Sequence, residues 1–211
     1  MSDFGTFVLD QLPPPPGRVL EVGCGREGGT SATLAAAGYD VHGVDPEAPE
    51  GPGFTRARFQ DVEGAYDAVV AGRVLHHVNP LDEGIAKLAT LAPLLVVDEF
   101  APDRIDPGAR DWYEGQFRML AAAGADPPGP PDLGAWAERH PDLHSPETLL
   151  DTLRAHYDER ALEWLPYLHR WLGGPSSEAL ESTLVSAGAI RAIGYRWVGT
   201  VKSGSATPAR R

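Results

Sequence analysis

The chain has one cysteine (Cys24), two lysines (Lys87 and Lys202) and two methionines (Met1 and Met119) in 211 residues. A single cysteine excludes an intrachain disulfide and a cysteine zinc cage, and points to the reducing cytoplasm. Basic residues are outnumbered, with 18 Lys and Arg against 30 Asp and Glu, for a formal charge of -12. So acidic a chain repels phosphate backbones and anionic lipid, which argues against nucleic-acid and membrane-surface partners. No apolar run approaches the roughly 18 residues of a membrane span. The segment from Met1 to Phe7 lacks the basic and apolar regions of a signal peptide. What remains is a cytoplasmic globular protein, monomer or homodimer, whose partner is a small molecule. Glycine (24) and proline (20) make up a fifth of the chain. That is short of the roughly 25–30% that marks low-complexity sequence, so a fold with long loops is expected.

The first hundred residues alternate strand and helix. Strands are expected over 18–22, 39–44, 55–59, 65–71 and 94–97, with helices over 30–37 and 81–91. This alternation specifies a parallel α/β sheet. The prolines from Pro13 to Pro16 form a stiff lead-in. After Glu99 the pattern changes to a helix over 106–123, a proline-stiffened loop over 126–132 and a helix start at Ser145-Pro146, with Ser as N-cap and Pro at the first position. A strand over 159–165, a helix over 177–187 and a strand over 189–201 follow. Residues 203–211 read as a flexible tail.

The strongest local signal is Val19-Leu-Glu-Val-Gly23-Cys-Gly25-Arg-Glu-Gly28, at a strand-to-helix turn. Glycines there let backbone turn tightly and approach a ligand. Asp45 ends the next strand, where a carboxylate grips both hydroxyls of a ribose. The spacing of Gly23, Gly25 and Gly28 also satisfies the dinucleotide pattern, so an NAD(P)-dependent reductase is a competing reading. Glu21 argues against it, because a carboxylate beside that turn opposes a pyrophosphate. It suits a ligand with positive charge instead. S-adenosylmethionine (SAM) carries an amino group and a sulfonium, and no phosphate.

On these residues the sequence resembles class I SAM-dependent methyltransferases of small bacterial type, over about residues 15–200. Leu20-Glu-Val-Gly-Cys-Gly25 resembles the family's first motif and Val44-Asp45-Pro46 its acidic second-strand end. Phe59-Gln-Asp61-Val62 resembles the adenine-binding position, and Tyr66 to Val78 the fourth strand with the turn after it. The resemblance implies that Glu21, Gly23, Cys24 and Gly25 hold the methionine end of SAM, and that Asp45 and Pro46 hold the ribose. It assigns Asp61 and Val62 to the adenine, and Gly72 and Arg73 to the thioether. Arg26-Glu27 depart from the family's small residue and glycine. The implied fold is α/β and Rossmann-like: a seven-stranded, mostly parallel sheet flanked by helices, its last strand antiparallel. It would form one domain over 1–202, with a helical lid, an acceptor-side insertion, at about 100–158.

Methyl transfer from a sulfonium requires in-line alignment of nucleophile, methyl and sulfur, and a hydroxyl nucleophile also requires a base. His144, just before the Ser145 helix start, is the leading base, since a helix N-terminus keeps imidazole neutral. His76 and His77, after the fourth strand, and Glu99, after the fifth, are further catalytic candidates. Trp112, Tyr113, Trp136, His140, Tyr167 and Arg170 offer aromatic faces beside polar groups, which suits a sugar-like acceptor. Segments 136–144 and 166–170 are similar to those of the sugar O-methyltransferase of methylmannose polysaccharide synthesis. Plentiful carboxylates leave a magnesium-assisted reaction open, although no distinctive ligand spacing is present. N- or C-methylation, and a SAM-binding module without activity, are also compatible with these motifs.

Overall fold

A computed structural model describes residues 3–203; the expected tail over 203–211 lies outside them except for Ser203. The chain forms two compact units. The first holds residues up to Glu99, Glu147–Leu162 and the chain from Arg196. The second holds Phe100–Pro146 and Glu163–Tyr195. Of the segment expected as an insertion, residues 100–146 lie in the second unit and residues 147–158 in the first. The second unit also continues to Tyr195.

The frame of the first unit is a mostly parallel sheet. The strands are β1 (Arg18–Val22), β2 (Asp40–Val44), β3 (Phe54–Thr55), β4 (Ala68–Gly72), β5 (Leu94–Phe100), β6 (Tyr157–Leu165) and β7 (Gly194–Val201). Their order is β3-β2-β1-β4-β5-β7-β6, with the last strands antiparallel. β1, β2, β3, β4 and β5 pair in parallel, with Leu20 opposite both His42 and Val69. Parallel strands covered on both faces should be apolar throughout, and β1 and β4 follow that rule apart from the exposed Arg18 at the start of β1 and the buried Glu21. The result is the Rossmann-like, seven-stranded sheet that the resemblance implies.

β1 and the helix α3 (Leu81–Leu91) have the bounds expected from sequence, since their apolar periodicity is unbroken. β3 does not. The strand expected over 55–59 is two residues long and lies one residue earlier, while Phe59–Asp61 is a 3-10 turn. Its partner β2 ends at Val44, opposite Thr55, so nothing remains to pair with residues 56–59. β5 runs three residues beyond the expected 97, because Asp98 and Glu99 continue it as buried charges. β7 starts at Gly194 rather than 189.

Helix α1 (Phe4–Gln11) has no counterpart in the sequence reading. Asp3 caps it, accepting from Thr6 N at 3.0 Å, and Val8 enters the core beside Leu34, Val70 and Val96. Phe4 and Phe7 lie against the Arg196 guanidinium, 6.0 and 4.8 Å from carbon to ring centre. Helix α2 (Ser31–Ala36) follows the glycine turn.

The second unit is mainly helical, with α4 (Pro107–Ala122), α5 (Leu133–Glu138) and, after α6 (Pro146–His156), α7 (His169–Leu172) and α8 (Pro175–Ser186). Asp106 and Asp132 cap α4 and α5, each accepting a backbone N–H at 2.8 Å. Its core packs Phe100, Tyr113, Leu133, Tyr167, Leu172 and Ile193.

Candidate functional site: a cleft at the carboxyl ends of the parallel strands

The turn after β1 is built around Glu21, which is buried at 3% exposure in the middle of an apolar strand. Its Oε1 accepts from Thr30 N at 2.6 Å and Thr30 Oγ1 at 2.9 Å, and its Oε2 accepts from Ser31 Oγ at 2.5 Å. The carboxylate thus caps the start of α2. Gly29, at φ 54°, passes so close that a Cβ would collide with the carboxylate. Gly23 (φ 78°) donates to Val44 O at 2.9 Å, and a Cβ there would meet Val74 at 2.7 Å. Any side chain at 23 would force the loop off the turn after β4. Cys24 is buried in the same loop, and burial, then the charges of Glu21 and Asp45, push its thiol up to about 11. Gly25 (φ 61°) faces open space, and Arg26 is tied to Glu47 at 2.6 Å.

Beside this turn lies a cleft of about 240 Å³. Gly23, Asp45 and Pro46 line it from the β1 and β2 ends, and Val74 and His77 from the turn after β4. Asp45 is half-buried and fixed by one oxygen, with Oδ1 accepting from Glu47 N at 2.7 Å. The 3-10 turn after β3 supplies Phe59 and Gln60 to the wall. Asp61 and Val62, the expected adenine contacts, are not among the lining residues: Asp61 is exposed and Val62 is packed at 6% exposure. Shortening β3 to two residues puts the residues just before Asp61 on the cleft.

At the end of β4, Gly72 lies against the Phe4 ring, and Arg73 is exposed with φ 55°. The next turn, Leu75–His77, is held by Glu99 from β5. Glu99 is fully buried; its Oε1 accepts from Leu75 N at 2.7 Å and His76 N at 3.4 Å, and its Oε2 contacts His76 Nδ1 at 2.6 Å. His76 is buried and His77 exposed, their rings 4.1 Å apart. Three catalytic candidates are thus brought together, and of these His77 lines the cleft.

The remaining candidates belong to the second unit. His144 is half-buried, two residues before α6. His140 stacks on Trp136 at 4.6 Å, with Nδ1 on Trp136 O at 2.7 Å. Tyr113 (0% exposed) and Tyr167 (3%) are core, contrary to the expectation that they face an acceptor. The Tyr113 hydroxyl donates to Pro130 O at 2.8 Å, and burial raises its pKa. Trp112 and Trp136 are half-buried against that core, and Arg170 lies over the Tyr167 ring at 5.0 Å. Aromatic residues that look like an acceptor surface in sequence mostly pack on one another.

A family model described as a methyltransferase domain matches residues 1–170. The chain belongs to that family. No curated protein sequence is a significant match to this methyltransferase domain. Solved structures similar to it include the magnesium protoporphyrin IX methyltransferase of Synechocystis PCC 6803 with bound SAH, at 18% identity and TM-score 0.54, covering 94% of this chain and 80% of that one. A SAM-dependent methyltransferase from Mesorhizobium loti is 14% identical with TM-score 0.57, covering 92% and 96%. The [4+2]-cyclase SpnF is similar at 16% identity and TM-score 0.52, covering 95% and 81%.

Sequence reasoning missed one feature of this methyltransferase domain. Glu181 on α8 is fully buried and accepts from Tyr167 N, Leu168 N and His169 N at 2.7–2.9 Å, while its Oε2 contacts His169 Nδ1 at 2.8 Å. Its neighbours Ser177, Glu178 and Ser182 make the segment read as a solvated helix face. No helix among the described residues is long and apolar enough to cross a membrane, and none of their His, Cys, Asp and Glu form a group of three placed for a metal.

Proposed function

We propose that the protein is a SAM-dependent O-methyltransferase that moves a methyl group to a hydroxyl of a small polar acceptor, sugar-type acceptors included. The observation that carries this reading is Glu21 capping α2. A helix start that already holds a carboxylate is a poor seat for pyrophosphate, which disfavours an NAD(P)-dependent reductase. The rest of the cleft suits an adenosyl group: an apolar wall with Phe59 and Val74, and the Asp45 carboxylate for ribose hydroxyls. Bound SAM supplies an electrophilic methyl on a positively charged sulfur.

Asp45 and Pro46 hold the ribose, Gly23, Cys24 and Gly25 approach the amino-acid end, and Phe59 and Gln60 take the adenine side. Glu21 has one of its roughly four acceptor sites left for the amino group. A histidine takes the hydroxyl proton. His144 is the candidate from sequence, and His77 is favoured by its place on the cleft wall. Glu99 holds the turn that carries His77. The protein works as a monomer or homodimer in the cytoplasm, with SAH as product.

SAH and SAM should raise the unfolding midpoint in a thermal-shift titration, while NADH and NADPH should not. Absence of any shift at millimolar SAH would sink the reading. Screening hydroxylated acceptors for SAH release then identifies the substrate. On that substrate the base variant, His144→Ala or His77→Ala, should lose about 10²–10⁴-fold in turnover while keeping SAH affinity. Binding of SAM without turnover across the panel would instead favour a module without activity, and methylated amine or carbon products the N- or C-methyltransferase reading.

A further inference from the structure

We propose that Arg73 is an oxyanion-binding residue, holding a carboxylate of the bound ligand at the carboxyl end of β4; this rests on the SAM-dependent reading above. Arg73 is the one residue other than glycine, among those described, in the left-handed region (φ 55°). For a residue with a Cβ that conformation is strained, because the Cβ crowds the following carbonyl oxygen. A glycine would turn the chain from β4 into the Leu75–His77 turn without that cost, and the backbone link here, Arg73 N to Asp98 O at 2.7 Å, needs no side chain. Strain of this kind persists where the side chain has a task, and it clusters at ligand sites.

The task follows from its charge and position. Arg73 is exposed, and its guanidinium makes no hydrogen bond or ion pair with the described residues. In the same unit Arg18, Arg26, Arg56, Arg154 and Arg196 are each engaged with a carboxylate, whereas Arg58, on the cleft wall, and Arg160 share with Arg73 the lack of one among the described residues. Its chain neighbour Val74 lies against Gly23 of the glycine turn and lines the cleft. The other places for an anion at this turn are taken. Glu21 occupies the start of α2, and Arg26, inside the turn, is bound to Glu47. An always-charged planar fork at the cleft margin matches the two oxygens of a carboxylate. That carboxylate belongs either to the amino-acid end of the cofactor or to the acceptor.

The test uses the full chain, Arg73→Gly and Arg73→Lys. Calorimetry compares SAH with decarboxylated SAH, which keeps the amino group. Thermal shift compares salicylate, glucuronate and inorganic phosphate on SAH-saturated protein. If the cofactor's carboxylate is held, Arg73→Gly weakens SAH about 10- to 100-fold, leaves decarboxylated SAH unchanged, and Arg73→Lys recovers only part of the loss. If the acceptor's is held, SAH affinity stays and the wild-type shift with the acids disappears in Arg73→Gly. In either case the Gly variant unfolds no earlier than wild type. Equal loss of both nucleosides, unchanged binding of every probe, or an earlier unfolding midpoint overturns the proposal. Wild-type protein that binds neither nucleoside overturns the SAM reading itself.

Discussion

Glu99 and Glu181 do the same physical work in different surroundings. Each is a fully buried carboxylate that gathers backbone N–H groups of a short helical turn beginning Leu-His, and touches that histidine's Nδ1 with its other oxygen. In the first unit the turn is Leu75–His77, and the next ring along, His77, is exposed on the cleft. In the second it is the start of α7, embedded among Tyr167, Leu168 and Leu172. Buried charge is tolerated in both because nearly every acceptor site is filled. One device therefore positions a candidate site, and its counterpart fastens an aromatic core. A buried histidine–carboxylate pair does not by itself mark catalysis.

The largest expected effect lies in the second unit. Glu181→Ala leaves three backbone N–H groups and an imidazole without their acceptor, and should cost about 3–5 kcal/mol of unfolding free energy in denaturant titration. Glu99→Ala takes the acceptor from Leu75 N and from His76 N, the latter held at only 3.4 Å, and should cost about 2–4 kcal/mol. A reversed order breaks the equivalence, because it would mean that Glu99 carries stability beyond its turn. Next in size is the functional contrast. On the identified acceptor, His169→Ala should keep turnover per folded molecule within about threefold, whereas Glu99→Gln should lower it at least about tenfold and shift its pH profile. Comparable losses in both would make the second dyad part of the active site.

The smallest effect concerns a histidine with no carboxylate. His42 contacts the Tyr66 hydroxyl through Nδ1 (2.7 Å) and Thr55 Oγ1 through Nε2 (2.9 Å). Burial, then the Arg18 charge, lowers its pKa below the usual 6.5. The unfolded chain therefore binds the proton first, and stability from neutral His42 is present above about pH 6.5 and declines as the pH falls. His42→Gln should flatten that acid limb slightly in unfolding curves between about pH 7 and 5. An unchanged limb would place its origin elsewhere.

How much of this is legible in the sequence follows from what each signal depends on. β1, α3 and the glycine turn declare themselves through uninterrupted periodicity or glycine at a forced φ. Asp98 and Glu99 hide the end of β5, because their partners Arg196 and His76 are remote in sequence. Helix α1 is obscured by the prolines that follow it, although Phe4, Phe7 and Val8 have helical spacing. Asp61 and Val62 are singled out by a local motif, whereas Phe59 and Gln60 come onto the cleft wall through the fold around the two-residue β3, which no local motif announces. The aromatic segment of the second unit cannot be divided into surface and core from sequence, since both use the same residues. Tyr113 and Trp136 differ only in how deeply the fold packs them.

The carboxylate of Glu21 also has a meaning for life among other metabolites. Adenosine is carried in cells by many molecules, most of them phosphorylated at the 5′ position. A pocket that recognised ribose alone would be filled by whichever was most abundant. Because the chain lodges its own anion at the start of α2, that position is occupied before any nucleotide arrives, and 5′-phosphates meet a like charge there. On the SAM-dependent reading proposed above, the loop serves as a built-in competitor that screens adenosine carriers by what is attached at C5′. Neutralising it with Glu21→Gln should widen the set of nucleosides the cleft accepts.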